Sequence, residues 1–268
     1  AREIAKRLKV EFILEGSIQR DGEQVKIMTQ LIDARNDRNV WSEKSENHLY
    51  NIFAVQSNIA QKIAVELKTM LSPEEIQQLE YAPTKNTEAY NLYLKGRFFW
   101  NTRTVAGLRK SKGYFEQAIA ADPEYANAYN GLADTYFITA WMRWIDRNTG
   151  FALAKRNALK ALEIDPTLPE AHATLGGILC WAEWNWEEAE KEMITSIELN
   201  SHYTTGYQYY SELLDLLGRK DEELAVINTA LEFNPFSNAL NDLKSLYYFD
   251  QGKYDESLRI SKNAVEFD

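Results

Sequence analysis

The chain has 268 residues, 45% apolar and 26% charged, the composition of a folded protein with room for one large or two ordinary domains. Its net charge of -10 argues against nucleic-acid binding by bulk electrostatics, because neutralising phosphates needs clustered Lys and Arg. The single cysteine, Cys180, excludes an internal disulfide framework and any multi-cysteine metal site, and no apolar run approaches the roughly 18 residues of a membrane span.

Ile4, Ala5 and Leu8 lie among Arg and Lys and predict a short amphipathic helix over residues 2–9. No apolar stretch follows the opening charges, so the segment is not a signal peptide. The period then changes to two. Phe12, Leu14, Gly16 and Ile18 alternate with polar residues, Asp21-Gly22 marks a hairpin, and Val25, Ile27, Thr29 and Leu31 form the returning strand. After the polar turn Arg35-Asn36-Asp37, a third strand is expected around residues 39–45 with Val40 and Trp41. Three strands with exposed edges make a weak domain by themselves. The expectation is a larger α/β sheet whose first half precedes residue 1. The chain opens without Met and stops at Phe267-Asp268, which reads as a piece of a longer protein.

From Asn51 to Leu71 the period returns to 3.6, with Ile52, Val55, Ile59, Ile63, Leu67 and Met70 on one face that should cover the sheet. Ser72-Pro73-Glu74-Glu75 restarts a helix to about Tyr81: Ser72 caps, Pro73 needs no N–H at the first position, and Glu75 closes a capping box. Ala82-Pro83-Thr84 is the expected domain boundary, dividing residues 1–83 from 84–268.

Helical pairs follow. Thr87 caps a helix over residues 88–101, and a second runs over 105–121 to Asp122-Pro123. Pairs recur near 126–166, 169–201, 204–235 and 238–268. The cleanest spans Ser201 to Pro235, 34 residues by subtraction, turning at Gly218. Pro123 to Pro166 is 43 residues, so that unit carries an insertion, placed at residues 139–150. A small residue recurs where the first helix crosses the second (Gly96, Ala133, Gly176, Ser211, Ser245), and another recurs in the second helix (Ala118, Ala161, Ser196, Ala230, Ala264). Close backbone approach explains both, and proline after Asp122, Asp165 and Asn234 explains the helix exits.

These residues resemble the tetratricopeptide repeat (TPR) family over about two-thirds of the chain. The resemblance implies a mainly α fold, a right-handed superhelix of about five helix-turn-helix units preceded by a small, truncated α/β module with a three-stranded sheet. The front, EIAKRLKVEFILEGSIQRDGEQVKIMTQLIDARNDRNVWSEKSE followed by NIFAVQSNIAQKIAVEL, resembles the second half of the TolB-like amino-terminal domain. That resemblance implies a bacterial signalling protein with an effector elsewhere: a class III adenylate or guanylate cyclase, a winged-helix regulator or a serine/threonine kinase, with a cyclase the first expectation.

In such an array the first helix of each unit lines the concave face. The register places Tyr93, Arg97 and Trp100 there, then Asn130, Asp134 and Phe137, then Ala173, Gly177 and Trp181, then Gln208, Glu212 and Asp215, with Asp242 near the end. Their mixed aromatic and polar character suits an extended peptide or a partner helix, and the acidic later positions favour a basic one. Trp141, Trp144, Trp181, Trp184 and Trp186 crowd the insertion and third unit. Packing of a long loop is favoured over an aromatic recognition patch. His48, His172 and His202 lie in separate contexts and form no HExxH, and neither GxSxG nor a P-loop occurs.

The expected function is non-catalytic, with no cofactor and no metal. The segment would bind a protein or peptide or self-associate as a homodimer, without direct nucleic-acid binding, and control the effector. The other reading is a small-molecule sensor or enzyme with a site between the α/β module and the first repeats. The expected compartment is the cytoplasm, or the periplasm if a membrane span lies upstream.

Overall fold

The computed structural model describes residues 3, 5, 6, 10–21, 24–48, 52–67, 72, 76 and 81–265. Of the helix expected over residues 2–9, Glu3, Ala5 and Lys6 are described and are helical; its other residues, Gly22 at the hairpin tip, Met70 and most of the helix after Ser72 lie outside the described residues. The chain divides into two compact units, Ala1–Thr87 and Glu88–Asp268.

The first unit holds β1 (Phe12–Asp21), β2 (Gln24–Asp33), β3 (Arg38–His48) and α1 (Ile52–Glu66). The strands form an antiparallel meander in the order β1-β2-β3, the third longer than its residue pattern predicts. Ile18 pairs with Ile27 and Leu14 with Leu31, while Leu31 pairs with Trp41 beside a register shift. Directly paired residues share a sheet face, so one face gathers Leu14, Ile18, Val25, Ile27 and Leu31. Helix α1 covers only part of it. Val25 and Ile27 are buried with Val55, and Ile59 packs beside them. Lys62 of α1 donates to Glu43 of β3 at 2.7 Å. On β1 the same face is bare, with Ile18 73% exposed.

Among the described residues, the second unit is ten helices in five pairs: α2 (Thr87–Asn101) with α3 (Val105–Ala121), α4 (Ala126–Trp141) with α5 (Arg147–Ile164), α6 (Pro169–Trp181) with α7 (Trp186–Leu199), α8 (Thr204–Leu216) with α9 (Lys220–Phe233), and α10 (Asn238–Asp250) with α11 (Tyr254–Val265). The molecule is thus mainly helical, a small antiparallel sheet followed by TPR-like repeats. The recurring small residues explain how each pair closes. Ala118, Ala161, Ser196 and Ala230 are fully buried, and a Cβ at Gly96 or at Gly131 would stand 2.5 Å from the Phe115 ring. Aromatic or aliphatic knobs from the next unit fill the hollows: Tyr125 against Ala89, Ala118 and Ala128, Leu168 against Ala126 and Ala161, and Leu240 against Ala230.

Exits between pairs share one device. Asp122, Asp165 and Asn200 close their helices in extended backbone. Each side chain then accepts the N–H two residues on, from Glu124, Thr167 and His202, an Asx turn that turns the chain toward the next unit.

The oversized unit differs from its sequence expectation. Only residues 142–146 separate its helices, because Asp146 accepts the Thr149 N–H and starts α5 at Arg147. The extra residues therefore lengthen helices to 16 and 18 residues instead of forming a long loop.

Turns within pairs pass through the left-handed region. Gly218 and Gly252 do so in the last two units, but Arg103, Arg143 and Trp184 take the role in the first three, with φ of 50°, 57° and 59°. A side chain there costs roughly 1–2 kcal/mol of backbone strain. Arg143→Gly is therefore expected to raise the melting temperature by about 2–4 °C, and a fall in a calorimetric scan would contradict this.

Helices α6 and α7 are joined through a histidine. His172 Nδ1 lies 2.6 Å from Glu192 Oε2 and Nε2 lies 3.0 Å from the Pro166 carbonyl, so both nitrogens face acceptors. Burial opposes charging His172, but the Glu192 bond and the Pro166 carbonyl outweigh it, and the pKa rises above its ordinary 6.5. A raised folded-state value means the added stability is complete below about pH 6.5 and lost as pH rises through the folded pKa. In thermal melts, the gap between wild type and His172→Gln should shrink between pH 6 and pH 8.5. A gap independent of pH would contradict this.

Candidate interaction face

First helices of successive pairs lie side by side: α4 against α6, α6 against α8, and α8 against α10. Residues in register with the crossing residue form a continuous row along them. The residue directly after each of Gly96, Ala133, Gly176, Ser211 and Ser245 (Arg97, Asp134, Gly177, Glu212 and Leu246) lies on this row.

In the first three units this row is tied together. Arg97 of α2 donates to Asp134 Oδ2 of α4 at 2.7 Å, and Thr174 of α6 donates to Asp134 Oδ1 at 2.7 Å. One carboxylate thus joins three helices. Charge-assisted bonds of this length are the strong ones. Burial would lower the Arg97 guanidinium, yet facing Asp134 raises it above its ordinary value. Trp100 carries the guanidiniums of Arg97 and Arg103 at 4.2 and 3.5 Å from its ring centroid, a cation–π arrangement. Tyr93 stands against Phe115 and Tyr125, and burial pushes its hydroxyl up to about 12.

Beyond Asp134 the row becomes aromatic. The Phe137 ring lies 6.1 Å from Trp181 and 6.0 Å from Tyr209, and Trp181 lies 5.2 Å from Tyr209, edge to face. Asn130, Asp134 and Phe137 are only 3%, 8% and 5% exposed. Four polar atoms in these units are buried without a hydrogen-bond partner: Trp100 Nε1, Asn127 Oδ1, Asn130 Oδ1 and Glu170 Oε2. Burial also raises the Glu170 carboxyl above its usual range.

The fourth and fifth units are open. Gln208 donates to Glu212 at 3.0 Å, and Glu212 is raised by burial. Asp215 and Asp242 are exposed. Lys220, at the start of α9, bonds Asp215 and lies 3.8 Å from Asp250 of α10. It thereby brings the ends of two first helices to one place. Leu216, Leu246 and Phe249 are 50%, 56% and 55% exposed.

The structure therefore places the sequence candidates in two groups. Tyr93, Arg97, Trp100, Asn130, Asp134, Phe137 and Trp181 lie in the tied, largely closed stretch. Gln208, Glu212, Asp215 and Asp242 lie in the open one, where Ala173 and Gly177 of α6 do not reach. The sequence reading missed Tyr209, Leu216, Leu246 and Phe249. Register was the available signal: Leu246 follows Ser245 as Arg97 follows Gly96, and Phe249 matches Trp100 and Phe137.

The tryptophans divide as well. Trp181 is in the aromatic cluster and Trp141 leans on it at 5.9 Å, whereas Trp184 is 70% exposed. Cys180 is buried, and burial pushes its thiol up to about 11, which makes it a poor nucleophile at neutral pH. Among the described residues, no helix is long and apolar enough to cross a membrane.

Comparison with known proteins agrees with this architecture. No family model matches the chain. A putative adenylate cyclase 3 from Rhizobium meliloti is 29% identical over 192 residues, covering 70% of this chain and 32% of that protein. The transcriptional regulator HilA of Salmonella typhimurium is 25% identical over 180 residues, covering 63% and 30%. The chain thus spans about a third of the length of the curated relatives it matches. Among solved structures, the TPR protein TTC0263 of Thermus thermophilus has a TM-score of 0.56 at 18% identity, covering 66% of this chain and 90% of that one. Pseudomonas aeruginosa PilF has a TM-score of 0.51 at 14% identity, covering 69% and 79%. These likenesses show a TPR fold for the helical array.

Proposed function

We propose that the chain is a regulatory interaction segment of a longer bacterial signalling protein. On this reading residues 1–83 are the second half of a TolB-like module, residues 84–268 are a five-unit TPR array, and the face of the first helices takes a segment of a protein partner. Occupancy of that face is passed to an effector elsewhere in the longer protein, with a nucleotide cyclase the first choice. The array itself does no chemistry. A cytoplasmic location fits a cyclase effector.

One observation carries the reading: five pairs in register present a single row of aromatic, polar and acidic side chains on neighbouring helices, tied by Asp134 and by Lys220. Such a row offers a long, preordered surface, which lowers the ordering cost of binding an extended or helical segment. The likeness to an adenylate cyclase over 192 residues supports the effector assignment. The tests begin with a displayed peptide library selected on the 268-residue chain. Enriched peptides should weaken at least tenfold, by fluorescence anisotropy, on Trp100→Ala or on Asp242→Lys. Peptides that bind both variants as tightly as the wild type would sink the proposal.

A further inference from the structure

The two halves of the row are not equivalent. In the first three units, with Tyr209 reaching in from the fourth, the face is filled from within. Phe137, Trp181 and Tyr209 pack their rings against one another, while Asp134 commits its oxygens to Arg97 and Thr174. In the last two units Asp215, Asp242, Leu246 and Phe249 are exposed at the same register, while Gln208 and Glu212 are half-buried. Asp242, Leu246, Phe249 and Asp250 follow the i, i+4, i+7, i+8 spacing of one helical stripe, and all four are exposed. The opposite side of α10 is occupied: Ser245 bonds Ser257 and Ser261 of α11 at 2.8 and 2.7 Å, and Leu240 is buried against Tyr207 and Ala230. Leu216 ends α8 next to this stripe, since Lys220 bridges Asp215 on α8 and Asp250 on α10.

The surroundings are acidic. Residues 204–250 contain eight acids (Glu212, Asp215, Asp221, Glu222, Glu223, Glu232, Asp242, Asp250) and three bases (Arg219, Lys220, Lys244). Two of the bases are engaged away from the stripe. Arg219 bonds Glu190 and Glu222, and Lys244 donates to Asn228 at 2.7 Å. The third, Lys220, pairs with Asp215, Glu223 and Asp250, and Asp242 has no ion pair among the described residues. An apolar strip rimmed by one sign of charge calls for a ligand apolar on one side and oppositely charged on the other. Two neighbouring helices leave a shallow furrow about 8–10 Å between axes, which a third helix fills.

We infer that the open half of the face, over α8 and α10, takes a short cationic amphipathic helix. Its apolar side chains lie on Leu216, Leu246 and Phe249, and its lysines or arginines lie against Glu212, Asp215, Asp242 and Asp250. This rests on the proposed groove function and adds the place and the partner's chemistry. The closed half offers the competing position, since Trp100 Nε1 and Asn130 Oδ1 are buried there without partners, so a Trp100 variant belongs in the test.

The probe is a fluorescein-labelled 16-residue peptide of Leu and Lys at helical amphipathic spacing, titrated by anisotropy into the 268-residue chain. Controls are a scrambled peptide of the same composition and a version with every Lys replaced by Glu. Both controls should bind at least tenfold more weakly. Leu246→Asp and Asp242→Lys should each weaken the amphipathic probe at least tenfold, and by more than Trp100→Ala does, and affinity should fall with salt. Both substituted side chains are solvent-exposed, and circular dichroism of each variant confirms folding. Leu246→Asn is the second variant should Leu246→Asp fail that check.

Equal binding of the scrambled probe, or unaltered binding to the Leu246 and Asp242 variants, overturns the inference. If only Trp100→Ala abolishes binding, the groove function stands and this placement falls. If library-selected peptides also ignore all three variants, the groove function falls with it. A dimer in sedimentation that Leu246→Asp turns into a monomer would assign the strip to a second copy, and that too overturns the inference.

Discussion

Phe115→Ala is expected to cost about 3–5 kcal/mol, the range for emptying a buried aromatic site. The ring is fully buried between Gly96 of α2 and Gly131 of α4, each close enough that a Cβ would collide with it. Two glycines carry no side chains that can collapse into the space, so the loss lies at the upper end of the range. A repeat array does not share the loss evenly, because each unit contacts only its neighbours. Hydrogen exchange should therefore show α2 and α3 opening first, while α6 to α9 keep most of their protection. Uniform loss along the array, or a drop in melting temperature below about 3 °C, would contradict the expectation. Gly131→Leu should damage the same place from the other side by overpacking.

Asp134→Ala is expected to cost about 3 kcal/mol, because it leaves the half-buried Arg97 guanidinium and Thr174 Oγ1 without their carboxylate. Thr174→Val removes one neutral donor and should cost about 1 kcal/mol. The pair Arg97→Met with Asp134→Leu should recover most of the single-variant loss, since replacing both charges by apolar groups of similar volume is often neutral or better. A double variant no more stable than Asp134→Ala would show that the ion pair itself, and not the stranded charge, sets the cost. Chemical denaturation of the four chains gives these differences directly.

The helical array was legible because its determinants are local and repeated. Small residues at Gly96, Ala133, Gly176, Ser211 and Ser245, with Asp, Asn and Pro at the exits, recur at nearly constant spacing, and each has a single-residue geometric reason. The sheet was legible from the alternation at Phe12, Leu14 and Ile18 and its mirror at Val25, Ile27 and Leu31. The oversized unit was less so. Residues 139–150 lack a strong apolar period, and the decisive contact is one carboxylate, Asp146, capping α5. The interaction face was half legible. Register alone places Arg97, Asp134 and Phe137 on one row, but it does not tell that Asp134 bonds two neighbours or that Tyr209 reaches Phe137 and Trp181. Those facts depend on how units stack: the Asp134 bonds span 37 and 40 residues of sequence, and the reach of Tyr209 to Phe137 joins the fourth unit to the second. Leu246 and Phe249 escaped notice because an apolar residue on a repeat helix ordinarily reads as core, and here exposure carries the information.

The most direct test of the account is where a selected peptide touches the chain. A peptide enriched on the 268-residue chain can carry a photoreactive residue, be crosslinked, and have its attachment sites mapped by mass spectrometry. Attachment on the first helices, α8 and α10 foremost and α2, α4 or α6 at its extension, is the predicted result. Attachment confined to α3, α5, α7 and α9, or to β1–β3, would contradict it.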